Sequence, residues 1–496
     1  MNRKSKAFFS MKLPSMILGL SLVFTLTSGG AALAKDAVDE PLGGQPPAGM
    51  KPSMKDYRGT LQYRRAFEVA TWAMPAVGIY GFRRATEAVG GTDNTILVWS
   101  KVAGPNAELL TANDTTPYIL AMSDLRKGPV VLEVPPATDK TLLYGQIVDM
   151  WQFAIADVGP VGADKGKGGR YLFLPPGYKG KAPEGYLVMN SPSNRIYLAF
   201  RSVRKPGSGA TLKDAYDYAR KLKMYYLDDP QPTKYIDPSD MRFPSLPHYD
   251  ETLFQDIQAI FDGEPVKPQD KVMMGYLGFL GLEPGKPFAP DEKTRKLLRQ
   301  AAADFYFYMQ HRLTYQKKEK YYWPERHWQD VLTPDRNGFF SFVYDDWIDL
   351  DERAERYFFA TYYPRKYYEK PANIYLFAKM DANGKPLEAG KNYKLTIPPD
   401  MPVTQFWSLI IYDGATWAFI YTPQKKVGIS SYDMDKLKKN PDGSVTLYFG
   451  PKPPEGLESN WIPTGGKEPA PALRFYGAKK AIIDRSFVMP DVEPAD

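Results

Sequence analysis

Apolar positions along the chain change from a helical to a strand-like period, and this change divides the sequence into blocks. From residue 61 to residue 88 they recur with helical spacing, and Pro75 is expected to bend this helix or to end its first half. Four runs rich in β-branched and aromatic residues follow, at 96–99, 130–134, 144–156 and 171–174. We therefore predict an antiparallel β-sandwich with a leading helix over residues 61–205.

A helical period returns between residues 206 and 369. Thr211, with Asp214 three residues later, is typical of a helix start, and residues 251–261 and 291–315 are also predicted to be helical. Aromatic residues are concentrated here, since 21 of the 64 residues from Phe305 to Tyr368 are Phe, Tyr or Trp. An exposed aromatic patch of that size favours aggregation, so we expect these rings to fill the junction between two sandwiches.

Strand-like runs resume over residues 370–496, and this block repeats the plan of the first. Each block has a strand that ends in a Pro-Pro pair, and each then has an aspartate at the end of another strand, Asp149 in the first block and Asp413 in the second. This self-similarity predicts two related sandwich domains, with a chance likeness of short proline-rich strands as the alternative. The predicted fold class is mainly β, α+β overall, with a helical insert between the two sandwiches.

Residues 1–34 have the three parts of a secretory signal peptide. A basic start precedes an apolar stretch from Met16 to Thr27, and Ala32-Leu33-Ala34 offers the small residues of a cleavage site. An uncleaved anchor is the alternative, but the apolar stretch is shorter than the roughly 20 residues that cross a bilayer. We expect a mature chain that starts at Lys35, has an extended lead-in over 35–60 and no transmembrane span, and is periplasmic or secreted.

Charge and cysteine content exclude several classes of function. Residues 1–34 hold four basic and no acidic side chains, so their removal lowers the formal net charge from +7 to +3. This weak, scattered charge is not that of a nucleic-acid-binding protein. The chain has no cysteine, which excludes disulfides, thiol nucleophiles and cysteine-bound zinc.

The familiar catalytic and nucleotide-binding motifs do not occur. The sequence has no Gly-x-Ser-x-Gly, His-Glu-x-x-His, Gly-x-x-x-x-Gly-Lys or Gly-x-Gly-x-x-Gly motif. The glycine-rich run 162–169 lies between two strands and is read as a turn rather than a phosphate loop. His248, His311 and His327 are far apart, so a three-histidine zinc site is the less favoured alternative to separate hydrogen-bonded rings. We predict no metal and no cofactor.

Asp149 and Asp413 are the candidate catalytic residues. Each lies at a matching point of its block beside aromatic residues, where apolar surroundings raise a carboxyl pKa as a general acid requires. Two such groups are able to flank a glycosidic bond. The alternative is that each aspartate caps the turn after a core strand.

Further polar and aromatic residues near strand ends are candidates for ligand binding. The run from Asn113 to Tyr118 is dense in short hydrogen-bonding side chains, which suit either a polar ligand or an ordinary turn. If the protein is an enzyme, these groups should converge on one cleft with the two aspartates. The ligand-binding candidates are Asn113, Asp114, Tyr118, Trp151, Trp407, Asn460 and Arg474.

Several long segments resemble a family of bacterial exported proteins that carry an N-terminal domain of unknown function 1254 and a C-terminal domain of unknown function 1214. The resemblance rests on residues 99–101, 113–118, 124–136 and 157–172 for the first domain, and on 406–413, 442–451, 458–464 and 474–477 for the second. It implies two jelly-roll-like sandwiches with helical additions. It brings no established catalytic residue to this chain.

Two hypotheses of function remain open. In the first, the protein is a hydrolase that uses carboxylates in an aromatic-lined cleft between the sandwiches, acting on a carbohydrate or on a small polar or aromatic molecule. In the second, it is a non-catalytic ligand-binding or envelope-interaction protein. The sequence leaves homo-oligomer formation open as well.

Overall fold

The computed structural model describes residues 44, 46–47, 49–365 and 373–495. The predicted signal peptide and much of the predicted lead-in lie outside the described residues. The described residues form seven α-helices: α1 Tyr57–Ala88, α2 Leu212–Ala219, α3 Thr252–Phe261, α4 Lys271–Leu280, α5 Glu292–Thr314, α6 Leu350–Phe359 and α7 Lys480–Ile483.

The strands fall into two groups, one on each side of the helical region. The first group is β1 Ile96–Val98, β2 Ala107–Glu108, β3 Tyr118–Asp124, β4 Val130–Val134, β5 Thr141–Val148, β6 Ala154–Val158, β7 Gly169–Leu174, β8 Leu187–Asn190, β9 Arg195–Arg204, β10 Lys223–Tyr226, β11 Tyr235–Ile236 and β12 Phe243–Pro244. The second group is β13 Trp328–Asp330, β14 Asn373–Ala378, β15 Asn392–Ile397, β16 Val403–Asp413, β17 Gly428–Ser430, β18 Val445–Gly450, β19 Trp461–Pro463, β20 Pro469–Ala478 and β21 Glu493–Ala495.

Each group forms a sandwich of one larger and one smaller sheet. The first sandwich packs a six-stranded sheet, in the order β11-β1-β3-β9-β5-β6, on a four-stranded sheet, β10-β4-β7-β8. The second packs a five-stranded sheet, β13-β14-β20-β16-β17, on a four-stranded sheet, β19-β18-β15-β21. The predicted fold class is confirmed. Strand β10, which follows residue 205, pairs with β4, and β13, which precedes residue 370, pairs with β14.

The two sandwiches have the same topology, strand for strand. Reading the chain from β3 to β10 and from β14 to β21 gives eight equivalent pairs in the same order. Strands β1 and β13 take equivalent places beside β3 and β14, and the first sheet has one more strand, β11, outside β1. The orientations also agree, since β7–β8 and β18–β19 are parallel and the other neighbours within these sets are antiparallel. Asp149 directly follows β5, and Asp413 ends the equivalent strand β16. The match therefore supports two related sandwiches over a chance likeness.

A third core joins the outer faces of the two larger sheets. It combines apolar residues of α1, α3, α5 and α6 with residues of β3 and β5 on one side and of β14, β16 and β20 on the other. Phe305, Tyr357 and Phe358 belong to this core, as the aromatic content of the helical region predicts. Tyr322 and Trp328 pack instead inside the second sandwich, because the segment that carries them adds strand β13 to its sheet.

Helix α1 shows how packing overrides a local signal. Pro75 lies inside the helix, which continues to Ala88 instead of ending. The Pro75 carbonyl accepts a hydrogen bond of 2.7 Å from Gln152 Nε2, and the residues around Pro75 are buried. A proline removes one backbone hydrogen bond, and the contacts on all sides of this helix outweigh that loss.

Among the described helices, none has the length and apolar character needed to cross a membrane.

Candidate functional site

A cavity of about 480 Å³ lies between the two larger sheets. Strands β3, β5 and β9 form one wall, and β14, β16 and β20 form the other. The segment from Phe359 to Arg365 and residues near Thr111 complete the lining. A cavity of this size between two domains is typical of a site for a small molecule.

Strand alternation determines which side chains reach the cavity. On β20, Ala472, Arg474 and Tyr476 line it, whereas Leu473 and Phe475 point into the core of the second sandwich. Successive residues of a strand point to opposite faces, so one strand serves both the core and the cavity. The same rule holds on β3, β9 and β14.

Aromatic residues make up 11 of the 32 residues that line the cavity. Burial raises the pKa of the Tyr362 and Tyr375 phenols well above the ordinary value, so both stay neutral near pH 7. Trp417 packs between Phe359 and Phe377, with ring centroids 5.2 and 5.1 Å away. The aromatic residues of the lining are Phe82, Tyr118, Tyr144, Phe359, Tyr362, Tyr363, Tyr375, Phe377, Tyr412, Trp417 and Tyr476.

The turn that contains Asn113 joins the two walls. Asn113 Oδ1 accepts hydrogen bonds from Thr115 N at 2.7 Å and Thr116 N at 3.3 Å, which is the turn-forming role. Asn113 Nδ2 also donates to the phenol oxygen of Tyr476 in the second sandwich. Asn113 N donates in turn to Tyr118 Oη at 2.9 Å. The turn thus has a local structural role and also contributes polar groups to the cavity wall.

Arg474 is a buried cation on the second wall, with 8 % of its surface exposed. Its Nη2 donates to the carbonyl oxygens of Thr111 at 2.9 Å and Ala112 at 3.3 Å, and to Tyr412 Oη. No carboxylate of the described residues lies within 4.0 Å of its guanidinium. Its Nε and Nη1 groups have no partner in the described part of the chain.

Arg201 occupies the first wall. Its Nη1 donates to Thr116 O at 2.9 Å, and its guanidinium carbon lies 3.2 Å from the centroid of the Tyr118 ring. Like Arg474, it forms no ion pair with a carboxylate in the described ranges. The one carboxylate of the described lining, Asp157, instead lies 3.9 Å from Arg365 Nε and accepts a bond of 3.2 Å from Gln146.

Three of the nine described non-glycine residues with a positive φ line the cavity. Thr111, Tyr362 and Trp417 line it with φ values of 44°, 57° and 60°. Side chains other than glycine rarely adopt this left-handed region, and bulky ones least of all. Such conformations persist where surrounding contacts enforce them, and they are concentrated at ligand clamps and active sites.

Asp149 lies outside the cavity wall and caps a turn. It is fully buried, and its Oδ1 accepts hydrogen bonds of 2.8 Å from the backbone N–H groups of Trp151 and Phe153. Its Oδ2 lies 3.5 Å from Lys267 Nζ. Burial raises the pKa of Asp149 above the ordinary value, and the Lys267 charge opposes that rise.

Asp413 has the equivalent place in the second sandwich and also caps a turn. Its Oδ1 accepts a hydrogen bond of 3.0 Å from Ala415 N, and its Oδ2 lies 3.9 Å from Lys467 Nζ. It does not line the cavity.

The remaining candidates lie mostly in structural positions. Trp151 packs in the third core with its ring 5.1 Å from Trp72, and Trp407 is buried in the core of the second sandwich. Asn460 is buried and bonds the backbone of Lys438 and Thr446. Asp114 is half-buried beside the cavity turn but does not line the cavity.

The cavity thus does not bring all of these candidates together. Of the nine, the cavity receives Asn113, Tyr118 and Arg474. Asp114 lies beside the cavity without lining it, and Asp149, Asp413, Trp151, Trp407 and Asn460 point into cores or turns. The sequence does not reveal which face of a doubly buried strand meets a cavity. The sequence interpretation missed Arg201, Arg365, Tyr375, Tyr412 and Tyr476. The repeat offers the signal that finds Arg201, since this residue and Arg474 take the same register in equivalent strands.

The three histidines are separate. His327 bonds Asp491, His248 contacts Arg84, and the His311 ring lies 4.8 Å from the ring of Tyr315. The described ranges contain no group of three His, Cys, Asp or Glu residues placed to hold a metal ion.

Comparisons with known proteins found family matches in both sandwich regions. Residues 94–226 match the family described as "Protein of unknown function (DUF1254)", and residues 372–480 match "Protein of unknown function (DUF1214)". The VPA0106 protein from Vibrio parahaemolyticus is similar in structure, with a TM-score of 0.50 and 17% sequence identity over 88% of this chain and 100% of that one. A putative uncharacterized protein from Burkholderia cenocepacia has 11% identity over 88% of this chain and 95% of its own, with a TM-score of 0.37. No curated protein sequence matches the chain.

Proposed function

We propose that this chain, of which one segment matches DUF1254 and another matches DUF1214, is a ligand-binding protein that holds a small, largely apolar organic molecule between its two sandwiches. The observation that carries this proposal is the cavity of about 480 Å³, whose walls come from both large sheets and are rich in aromatic residues. Aromatic rings offer large apolar contact areas with little loss of conformational entropy on binding.

The backbone around the cavity supports binding by a preformed site. Thr111 N donates a 2.7 Å hydrogen bond to the carbonyl oxygen of Trp417, so two strained residues of opposite walls are tied together. Tyr362 N donates to Gln152 Oε1 at 3.2 Å, which fixes the third strained position. A wall held in this way loses little freedom when a ligand binds, which favours affinity.

The positions of Asp149 and Asp413 outside the cavity favour a binding function over hydrolysis. The two aspartates considered as acid and base each accept backbone hydrogen bonds in turns outside the cavity. A glycoside mechanism needs two carboxyl groups on opposite sides of one bond. Asp157 in the lining is engaged by Gln146 and Arg365.

A fluorescence titration tests the proposal. N-Phenyl-1-naphthylamine is an uncharged probe with a naphthalene and a phenyl group, and we expect it to bind saturably with one molecule per chain. Ala472→Trp places an indole in the cavity and should weaken binding at least about tenfold. Val188→Trp is the matched control, because Val188 is 40 % exposed on β8, outside the cavity lining.

The proposal fails if the wild-type chain shows no saturable binding. It also fails if Ala472→Trp, folded by circular dichroism, binds the probe as tightly as the wild type does.

A further inference from the structure

The two walls of the cavity present the same pair of residues in the same register. On the central strand β9, Arg201 is opposite Tyr118 of β3, and on the equivalent strand β20, Arg474 is opposite Tyr375 of β14. The arginines pair on their other side with Tyr144 and Ser408, each of which lies five residues before the turn-capping aspartate of its strand. Each large sheet therefore contributes one arginine–tyrosine pair to the cavity.

These two arginines lack a carboxylate partner among the described residues, although Arg474 is buried and Arg201 is half-buried. The third arginine of the lining, Arg365, does have one, since Asp157 lies 3.9 Å away. A guanidinium removed from water is normally paired with an anion, because carbonyl oxygens and aromatic faces compensate the lost hydration only in part. Arg474 uses only Nη2 in its protein hydrogen bonds, which leaves Nε and Nη1 for a ligand.

We propose that the ligand of this cavity is an organic anion, with an apolar, ring-containing body and an oxyanion group such as a carboxylate that Arg474 and Arg201 bind. This inference rests on the proposed function and specifies its ligand class. Guanidinium groups form strong, charge-assisted hydrogen bonds with oxyanions, and the aromatic walls accommodate the rest of the molecule. The positive charge of the lining favours the same choice, since Arg201 and Arg474 leave it cationic.

A matched pair of probes, one anionic and one uncharged, tests the preference for an anion separately from binding in the cavity. 8-Anilinonaphthalene-1-sulfonate differs from N-phenyl-1-naphthylamine by one sulfonate group. We expect the wild-type chain to bind the sulfonate at least about tenfold more tightly than the uncharged probe, and the two probes to compete. Arg474→Gln should remove most of this preference and Arg201→Gln part of it, where the preference is the ratio of the affinities that each variant shows for the two probes.

Two further variants control the experiment. Arg220→Gln removes an exposed arginine that also lies over tyrosine rings, 5.7 Å from the Tyr216 centroid, and should leave the preference intact. Arg474→Lys keeps the positive charge and should retain part of the preference. If Arg474→Gln fails to fold by circular dichroism, Arg201→Gln decides.

Each remaining outcome is informative. If the uncharged probe binds and the sulfonate binds no more tightly, the inference is overturned while the proposed function stands. If the preference persists in the folded arginine variants, the anion is bound elsewhere and the inference is likewise overturned. If neither probe binds, the proposed function fails and this inference fails with it.

Discussion

At the residue scale, the charge of Asp114 acts on Arg474, the residue proposed to bind an anionic ligand. It lies in the turn beside Asn113; burial raises its pKa above the ordinary value, and Arg474 opposes that rise. When this carboxyl group is ionised, its charge competes with a bound anion for the same guanidinium. We expect Asp114→Asn to bind 8-anilinonaphthalene-1-sulfonate about threefold to tenfold more tightly in a fluorescence titration, and the uncharged probe as before. An equal gain for both probes would show a change of shape rather than of charge.

Asp256 gives a pH-dependent contribution to stability. It is buried on α3 with its Oδ2 3.1 Å from Arg84 Nε, and burial raises its pKa to about 6 while the Arg84 charge limits the rise. The folded state thus binds a proton at the Asp256 carboxyl more tightly than the unfolded chain does. The contribution of Asp256 to the free energy of unfolding therefore falls as pH rises from about 4 to about 6, by up to roughly 3 kcal/mol. Asp256→Asn should flatten this part of the pH profile of urea unfolding. An unchanged slope would contradict the assignment.

The turn-capping aspartates should matter for stability and not for binding. Asp149→Asn leaves Lys267 without its anion, and we expect a loss of about 1–3 kcal/mol in the free energy of unfolding. Asp413→Asn should cost less, because Lys467 is 3.9 Å away and 63 % exposed at its side chain. Chemical denaturation measures the first effect, and titration with the uncharged probe should give wild-type affinity for both variants. A large loss of affinity without a loss of stability would return these residues to the site.

At the element scale, the close pairing of β5 with β9 depends on Gly145. It has a φ of 154°, and a Cβ atom added there would clash with the Ala199 carbonyl oxygen and lie 2.6 Å from Phe200 Cα. We expect Gly145→Ala to destabilise the fold by about 2–4 kcal/mol, because it forces two central strands apart. Gly275→Ala is the control: Gly275 lies in α4 with no atom within 4 Å of an added Cβ, and should gain about 0.5–1 kcal/mol. Thermal unfolding of the two variants should therefore shift in opposite directions.

The elements also show where prediction from sequence succeeds. The capping box of Thr211 and Asp214 begins α2, and Asp291 caps α5, because these signals act over a few residues. The run 144–156, in contrast, is broken by the Asp149 turn between β5 and β6. Strand β20 is buried on both faces almost throughout, so its sequence has no alternation to show that Arg474 faces a cavity. Local signals locate the elements, but the cavity arises from the contact of two distant sheets.

At the scale of the whole molecule, export remains a prediction that a direct measurement decides. The basic start, the short apolar stretch and Ala32-Leu33-Ala34 favour cleavage after Ala34. When the full chain is expressed in a bacterium with a periplasm, the mature protein should be released by osmotic shock, and its N-terminal sequence should begin at Lys35. Ala34→Arg should block cleavage and leave the longer chain in the membrane fraction. An unprocessed cytoplasmic product of the wild-type chain would contradict the prediction.

The equivalence of the two sandwiches has a consequence for the origin of the cavity. If one ancestral gene encoded a single sandwich, two identical copies that met through their larger sheets would have faced each other across a twofold axis, each with one arginine and one tyrosine. Fusion of the two genes would have freed each half to change separately, and the residues opposite the arginines on β5 and β16 do differ, being Tyr144 and Ser408. An ancestral homodimer would therefore have favoured a symmetric guest, and the fused chain is free to recognise a molecule whose two ends differ.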